Sequence, residues 1–285
     1  MLRALLVSSR PLSWVNTAFP FAAASLITRG SVDAVFVVGT LYFLIPYNLA
    51  MYGINDVFDY ESDLRNPRKG GVEGALLDRG MHRAMLVAAV VTNVPFLVFL
   101  AIVGSPLSWL VLVVSVFAVL AYSAPGLRFK ERPFLDSITS STHFVSPAVY
   151  GLVLANAVFT PRLWLLLAAF FLWGIASHAF GAVQDVVADR EGGIASIATV
   201  IGAKATVRLS VFAYLAAGTL LLFTSWPGPL AAILALPYAI SCVPYWRVSD
   251  DAADTANRAW RRFLFLNFLT GFLVTLLLIW FVLAR

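Results

Sequence analysis

The residues best suited to chemistry form a short acidic segment, NDVFDYESD, which contains Asn55, Asp56, Asp59 and Asp63. In an α-helix these four side chains fall within an arc of about 100 degrees, whereas Glu61 points to another side. Three carboxylates on one face repel one another, so they need a cation between them or altered pKa values. The spacing therefore predicts a helix face that binds a cation.

A second acidic segment, QDVVADRE, places Asp185 and Asp189 four residues apart, which again puts both carboxylates on one helix face. Neither segment contains histidine or cysteine, and a set of oxygen ligands suits Mg²⁺, which takes one or two carboxylates together with water and substrate phosphates. Solvation, helix capping or pairing with nearby arginines also explains acidic residues at a helix end. Two similar segments favour a metal site over these alternatives.

Basic residues beside both acidic segments indicate a diphosphate ligand. They are Arg65, Arg68 and Lys69 after the first segment, Arg190 after the second, and Arg128, Lys130 and Arg132, with Tyr122, in the stretch YSAPGLRFKER. Each could donate a charge-assisted hydrogen bond to phosphate. The preference of lysine and arginine for cytoplasmic loops would also explain most of these cations without any ligand. The four that we predict to contact phosphate are Arg68, Lys69, Arg128 and Lys130.

A polar stripe runs along the apolar segment LDSITSSTHFVSPAVYG, where Asp136, Ser140, His143 and Pro147 follow one another at helical spacing. Polar side chains inside a membrane helix face a cavity or a neighbouring helix, so we expect this stripe to line a cavity. Hydrogen bonds between helices explain its hydroxyl groups equally well. We predict substrate contacts for Asp136 and His143.

The composition identifies the elements that must position these residues. Of 285 residues, 60% are hydrophobic and only 12% are charged, which excludes a soluble globular protein. The apolar runs are nearly continuous and do not alternate, so they predict membrane helices and not barrel strands. We predict nine spans, at about 11–28, 32–52, 84–103, 107–123, 134–155, 161–181, 205–225, 228–246 and 262–283.

The loops between these spans differ sharply in charge. Nearly all lysines and arginines fall on one side, and only Arg29, Arg162 and Arg285 fall on the other. The positive-inside rule then predicts a multi-pass cell-membrane protein with a cytoplasmic N-terminus. All acidic residues except Asp33 share the cytoplasmic side, so we expect the active site there. The cations form no basic tail, which argues against nucleic-acid binding, and the single Cys242 excludes a disulfide framework.

A faint internal repeat relates the two acidic segments. YGINDV follows the second predicted span, and FGAVQDV follows the sixth. Four spans separate the copies, so both point the same way, as in a parallel repeat. We predict a single transmembrane domain over residues 1–285, with a pseudo-repeat of about 11–133 and 134–260 followed by a ninth helix.

Together these motifs resemble the UbiA superfamily of intramembrane prenyltransferases over nearly the whole chain. The motifs are NDVFDYESD after the second span, YSAPGLRFK after the fourth and QDVVADRE after the sixth. The stretches SRPLSWVNT, IPYNLAMYGINDVFDYESDLRNPRKGGVEG and SITSSTHFVSPA resemble, more closely, the bacterial lycopene elongase branch. This branch makes C50 carotenoids.

The resemblance implies a site and a mechanism. The positions that match the family's Mg²⁺ ligands are Asn55, Asp56, Asp59, Asp63, Asp185 and Asp189. The resemblance implies that Asp56, Asp59, Asp185 and Asp189 are the catalytic carboxylates, and Arg128 and Lys130 match basic residues that hold the diphosphate. Ionisation of dimethylallyl diphosphate gives an allylic cation, for which Tyr52 and Tyr122 are candidate aromatic stabilisers. A terminal double bond of lycopene then attacks, and the product cation loses a proton or captures water.

Two other functions stay open at this point. A sister activity would prenylate a quinone precursor, a chlorophyll-like molecule or a glycerol phosphate, because an all-carbon acceptor needs only an apolar pocket and leaves no specific signature. A transporter with a cation site is the alternative from another class. Its carboxylates should lie within the spans and not at their cytoplasmic ends.

Overall fold

The computed structural model describes residues 1–64 and 76–284, and within these ranges it is helical with no β-strand. Short 3₁₀ segments join several of the α-helices. The helices are α1 (Leu2–Ser8), α2 (Trp14–Arg29), α3 (Ala34–Leu44), α4 (Pro46–Phe58), α5 (Tyr60–Asp63), α6 (His82–Val103), α7 (Pro106–Ser123), α8 (Leu135–Leu154), α9 (Pro161–Val183), α10 (Val186–Glu191), α11 (Ile197–Ile201), α12 (Ala203–Leu221), α13 (Ala235–Cys242) and α14 (Asn257–Leu283). The predicted all-helical fold class is confirmed for this part of the chain.

Prolines and hydroxyl caps explain where several helices begin. Pro46, Pro106 and Pro161 each occupy the first position of a helix, where the missing N–H group costs no hydrogen bond. The side chain of Ser105 accepts from the Ser108 backbone N–H at the start of α7. Thr160 caps α9 in the same way. These caps satisfy N–H groups that a helix terminus would otherwise leave unpaired.

Six segments of the described chain are long and apolar enough to cross a membrane. They are Ala34–Phe58, Arg79–Val103, Pro106–Ser123, Pro161–Val183, Gly228–Tyr245 and Asp250–Leu283. The predicted spans at 11–28, 134–155 and 205–225 coincide with α2, α8 and α12, which are too short or insufficiently apolar by the same criterion. The number of nine spans therefore stays a prediction, as does the cytoplasmic N-terminus.

Unit 1 is a compact body formed by Met1–Phe129 and His143–Ala157. Its core contains a cluster of aromatic rings, in which Phe21 of α2 packs against Phe43 and Tyr150 with centroid separations of 5.2 and 6.1 Å. Gly39 of α3 lies against the Phe21 ring, and a Cβ at this position would overlap with ring atoms. A glycine here therefore lets α2 and α3 approach closely.

Unit 2 comprises Lys130–Thr142 and Val158–Arg285. Helices α9 and α12 pack along each other, and Tyr214 of α12 donates to or accepts from Ser177 of α9 at 3.0 Å. Tyr238 of α13 stacks on Tyr214 and bonds through its hydroxyl to Asn267 of α14 at 3.0 Å. Buried aromatic rings with satisfied hydroxyl groups thus join four elements of this unit.

Helix α8 is continuous but contributes to both units. Its residues up to Thr142 belong to unit 2, and those from His143 onward belong to unit 1. The polar stripe predicted along this helix is therefore divided. Asp136 and Ser140 belong to unit 2, whereas His143 and Pro147 belong to unit 1.

Candidate active site

The first acidic segment lies where α4 ends and α5 begins. Helix α4 ends at Phe58, and Asp59 adopts φ −99° and ψ 0° before α5 starts. Helical backbone bonds continue across this junction, because Asp59 N–H donates to the Asn55 carbonyl at 2.9 Å and Asp63 N–H donates to the Asp59 carbonyl at 2.8 Å. The chain therefore keeps the helical register that the sequence predicts.

The expected acidic face is present in unit 1. Asp56, Asp59 and Asp63 are only 1%, 5% and 6% exposed. In contrast, the side chain of Glu61 is 67% exposed and pairs with Arg79 at the surface. Three carboxylates buried within eight residues need compensating charge, because desolvation penalises each anion.

Arg10 provides part of this compensation. Its Nη2 atom donates to Asp56 Oδ1 at 2.7 Å, and its guanidinium lies 4.5 Å from the centroid of the Tyr52 ring. From the sequence, Arg10 is predicted only to add to the positive charge of the cytoplasmic side. In the structure, Arg10 lies between α1 and a short 3₁₀ segment that begins at Pro11. Pairing with a carboxylate 46 residues away requires the folded chain.

Asn55 and Arg128 both contact Asp59. The Asn55 amide nitrogen donates to Asp59 Oδ2 at 2.6 Å and to Ser123 Oγ at 3.0 Å. Arg128 Nη2 lies 3.5 Å from Asp59 Oδ1, and Nη1 lies 3.4 Å from the Phe58 carbonyl oxygen. The structure thus brings together two predicted metal ligands and one predicted phosphate contact.

Two aromatic side chains extend this part of unit 1. The Tyr122 ring meets the His143 ring edge to face, with centroids 5.3 Å apart. His143 is buried, and its backbone carbonyl accepts from the Tyr47 hydroxyl at 3.4 Å. Tyr52 lies beneath Arg10 on α4. Both tyrosines that the resemblance implies as cation stabilisers therefore lie on elements of the first acidic site.

The second acidic segment has a comparable backbone in unit 2. Helix α9 ends at Val183, and Asp185 immediately precedes α10. Asp189 N–H donates to the Asp185 carbonyl at 2.8 Å, and both carboxylates are half-buried. Gln184 accepts from the Asn257 side chain at 2.5 Å, which ties this junction to α14. In both segments an aspartate therefore lies where one helix ends and the next begins: Asp59 between α4 and α5, and Asp185 between α9 and α10.

Two polar residues of unit 2 have structural partners that the sequence did not indicate. Asp136 is buried and accepts from the backbone N–H groups of Ser137 at 2.7 Å and Ile197 at 2.8 Å, so it caps α11. Arg190 bonds to Asp250 and to the Thr199 carbonyl. The predicted substrate contact of Asp136 stays a prediction, and capping already explains its burial.

The remaining predicted residues are distributed as follows. Lys130 is half-buried in unit 2, one residue beyond the boundary that follows Phe129. Arg68 and Lys69, together with Arg65, lie outside the described residues. His178 bonds to Ser137 at 3.1 Å.

The donor chemistry of unit 1 fits a hard divalent cation. Within residues 1–64 and 76–284, no three His, Cys, Asp or Glu side chains converge closely enough to enclose a metal ion. Mg²⁺ does not need such a cage, because it uses one or two carboxylates and completes its shell with water and phosphate oxygens. Asn55, Asp56 and Asp59 offer only oxygen ligands here, so these residues suit Mg²⁺.

Comparison with known sequences identifies the family. Residues 17–283 match the model of the UbiA prenyltransferase family. The chain is 57% identical over 285 residues to the C(50) beta-cyclic carotenoids biosynthesis protein LbtBC of Dietzia sp. (strain CQ4), covering all of this chain and 66% of that protein. It is 53% identical over 278 residues to a lycopene elongase/hydratase of Corynebacterium glutamicum, covering 98% of this chain and 97% of that protein.

Solved structures show the same fold. A UbiA homologue from Archaeoglobus fulgidus bound to GPP and Mg²⁺ superposes with a TM-score of 0.71 at 18% identity, covering 94% of this chain and 99% of that chain. The same homologue bound to DMAPP and Mg²⁺ gives a TM-score of 0.70. With its several apolar helices, the chain is a multi-pass membrane prenyltransferase and belongs to the UbiA prenyltransferase family.

Proposed function

We propose that this protein transfers a dimethylallyl group from its diphosphate to the ends of lycopene in a Mg²⁺-dependent reaction, which yields C45 and C50 carotenoids. The observation that carries the prenyl transfer is the set of three buried carboxylates, Asp56, Asp59 and Asp63, on one helix face. An enzyme that binds an uncharged or cationic donor would have no use for such a concentration of negative charge at the membrane boundary.

The acceptor is proposed from the relatives. The Corynebacterium glutamicum protein, which is matched over 97% of its length, is a lycopene elongase/hydratase. The chain spans 66% of the length of the Dietzia carotenoid protein, so the activity of that whole protein does not pass directly to this chain. An all-carbon acceptor also agrees with walls of apolar and aromatic side chains, because it makes no hydrogen bonds of its own.

The prenyl donor and the metal ion are proposed from the oxygen ligands that the site offers. Asn55, Asp56, Asp59 and Asp63 would hold Mg²⁺ in unit 1, and we propose the same role for Asp185 and Asp189 in unit 2. Bound Mg²⁺ would neutralise charge on the diphosphate leaving group. The Archaeoglobus homologue solved with DMAPP and Mg²⁺ supports this donor through the shared fold.

The chain's own residues would perform the other tasks. Arg128 already lies beside Asp59, so its guanidinium can contact a diphosphate held there. We propose the same contact for Lys130 and, outside the described residues, for Arg68 and Lys69. The electron-rich faces of Tyr52 and Tyr122 would stabilise the allylic cation after the carbon–oxygen bond breaks. Asn55 would orient Asp59 through the bond between their side chains.

The proposed orientation places the N-terminus and the diphosphate in the cytoplasm, with nine spans in all. It rests on the charge asymmetry of the loops. A soluble diphosphate would then reach the acidic segments from the cytoplasm. The acceptor would enter sideways from the lipid with only its end group near the diphosphate.

Expression in a host that accumulates lycopene tests the acceptor. We expect C45 and C50 carotenoids by liquid chromatography and mass spectrometry, and unchanged lycopene in cells that express the Asp59→Ala variant at the same level. Unchanged lycopene with folded wild-type protein would refute the acceptor. Prenylation of a quinone precursor by the same protein would support the sister activity instead.

A further inference from the structure

Helix α10 is the short element that follows Asp185 and carries Asp189. It contains only six residues, Val186–Glu191. A helix of this length is not stable by itself, so contacts with other elements must hold it. Mg²⁺ accepts only near-ideal octahedral geometry, so the rotation of α10 decides whether both carboxylates of the second acidic segment can serve one ion.

A second face of α10 fixes the helix within unit 2. Val186 and Arg190 each follow an aspartate of the acidic segment by one position, so their side chains lie about 100 degrees around the helix from the carboxylates. Val186 is fully buried in a hydrophobic cluster that includes Ala198 of α11 and Ala256. Arg190 lies one turn further along α10 and anchors the other end of the helix.

Arg190 uses all three nitrogen atoms of its guanidinium for contacts within unit 2. Nε and Nη2 donate to the Thr199 carbonyl at 3.2 and 2.7 Å, and Nη1 donates to Asp250 Oδ2 at 2.6 Å. Thr199 belongs to α11, and Asp250 begins the 3₁₀ segment Asp250–Ala256. A planar guanidinium that bonds two groups at once fixes direction as well as distance. These contacts therefore connect α10 with two neighbouring elements.

The Asp250 carboxylate is held in place by a second contact. Its Oδ1 atom accepts from the Ala203 N–H at 2.7 Å, at the start of α12. Gly202 precedes Ala203 with φ +82°, and a Cβ on this glycine would come within 3.3 Å of Asp250 Oδ1. Glycine therefore provides both the backbone conformation and the space beside the carboxylate. Asp250 thus bridges Arg190 and the first turn of α12.

Arg190 differs in its surroundings from Arg128. Arg128 lies beside Asp59, a proposed Mg²⁺ ligand. Arg190 bonds instead to Asp250, which lies outside both acidic segments. The side chains of Arg190 and Asp250 are 45% and 34% exposed, so their ion pair contributes little to the stability of the whole protein. We expect its effect at α10 and not on the fold.

On the basis of the function proposed above, we propose that Arg190 and Asp250 are positioning residues of the second Mg²⁺ site. They hold α10 in the orientation in which Asp185 and Asp189 can bind the ion together. Arg190 acts through the helix that it anchors and does not contact the diphosphate. Residues that orient metal ligands from outside the coordination shell change metal affinity by about 10- to 100-fold.

The test compares Mg²⁺ affinity with substrate affinity in Arg190→Gln. We expect the Mg²⁺ concentration for half-maximal diphosphate release to rise at least about tenfold. The KM for the allylic diphosphate at saturating Mg²⁺ should change little, and so should the melting temperature without Mg²⁺. Calorimetric titration with Mg²⁺ in the presence of inorganic diphosphate should show the same loss of affinity without turnover.

Asp250→Asn tests the same contact from its other side. Asparagine can still accept from the Ala203 N–H but loses the charge that pairs with Arg190, so this variant should reproduce the loss of Mg²⁺ affinity. The double variant should lose no more affinity than either single variant, because both substitutions remove one interaction. If Arg190→Gln does not fold, Asp250→Asn carries the test, since it keeps the bond to α12.

The matched control is Arg29→Gln in unit 1. Arg29 also pairs with an aspartate, Asp33, and with a backbone carbonyl, that of Leu154. It lies in the other unit from α10. Its substitution removes a similar set of contacts and should leave the Mg²⁺ requirement unchanged.

Three results would overturn the proposal: an unchanged Mg²⁺ requirement in both variants, additive losses in the double variant, or a raised KM for the allylic diphosphate in Arg190→Gln alone. The last result would identify Arg190 as a phosphate contact. Failure of the proposed function looks different, because the wild type would then release no diphosphate with lycopene. The calorimetric titration would still compare the Mg²⁺ affinities of the variants.

Discussion

Arg10 and Asp56 form an ion pair in which Nη2 of the arginine lies 2.7 Å from Oδ1 of the aspartate, although the residues are 46 positions apart. The side chain of Asp56 is fully buried, and that of Arg10 is 18% exposed. The segment before α2 therefore packs against the acidic face of α4. The pair links the N-terminal segment directly to the carboxylates that we propose as Mg²⁺ ligands.

The first prediction concerns this pair. Arg10→Ala should lower the free energy of unfolding by about 3 kcal/mol, because a buried carboxylate loses its guanidinium partner. Thermal unfolding in detergent measures the effect. The control is Arg79→Ala, which removes the exposed pair with Glu61 and should change stability little. Equal effects of the two substitutions would contradict the buried pair.

The second prediction concerns Arg128 and the diphosphate. Arg128→Ala should remove a charge-assisted contact worth about 1.5–3 kcal/mol and so lower kcat/KM for the allylic diphosphate about 10- to 100-fold. Arg258→Ala, at an exposed position near the start of α14, is the control and should have little effect. Similar losses for both variants would mean that these cations act only through membrane orientation.

The third prediction concerns the close approach of α2 and α3. In Gly39→Ala the new Cβ would overlap with the Phe21 ring, which is fully buried, so we expect a loss of about 1–3 kcal/mol in the free energy of unfolding. Gly271→Ala in α14 is the control, since a Cβ there meets no atom within 4 Å. It should be neutral or stabilising by up to about 1 kcal/mol, because alanine favours helix. A stable Gly39→Ala variant would argue against this helix contact.

The fourth prediction concerns orientation. Cysteines at Glu131 and Asp251 should react with an impermeant thiol reagent only from the cytoplasm, and one at Val32 only from outside. Val32 is 66% exposed. A cysteine at this position leaves Asp33 in place, so Asp33 can still cap α3. Cys242 is buried and serves as the unlabelled background. Labelling of Glu131 and Asp251 from opposite sides would contradict the predicted topology.

Local features of the fold could be predicted from the sequence. The arrangement of Asp56, Asp59 and Asp63 on one buried face, with Glu61 outside it, follows from the geometry of a single helix. The second span, formed by α3 and α4, extends beyond the predicted end at residue 52, because α4 continues into the acidic motif and ends at Phe58. A hydropathy pattern underestimates the helix there, since polar residues at its end face the protein interior.

Contacts between distant segments could not be predicted. Asp136 caps α11 through Ile197, which is 61 residues away, and the polar stripe on α8 gave no indication of this partner. The Tyr47 hydroxyl, which donates to the His143 carbonyl, lies 96 residues away from it in sequence. A periodic pattern reports which face of a helix is polar, whereas the partner of that face depends on how the helices pack.

The most direct test of the proposed function is release of diphosphate by the purified protein in liposomes that contain lycopene. With dimethylallyl diphosphate and Mg²⁺, we predict release that depends on lycopene, stops with a chelator, and falls by orders of magnitude in Asp56→Ala, Asp59→Ala, Asp185→Ala and Asp189→Ala. Glu61→Ala should retain most activity, because its side chain lies at the surface. Release that proceeds equally without lycopene, or that is unaffected by loss of these aspartates, would contradict the account.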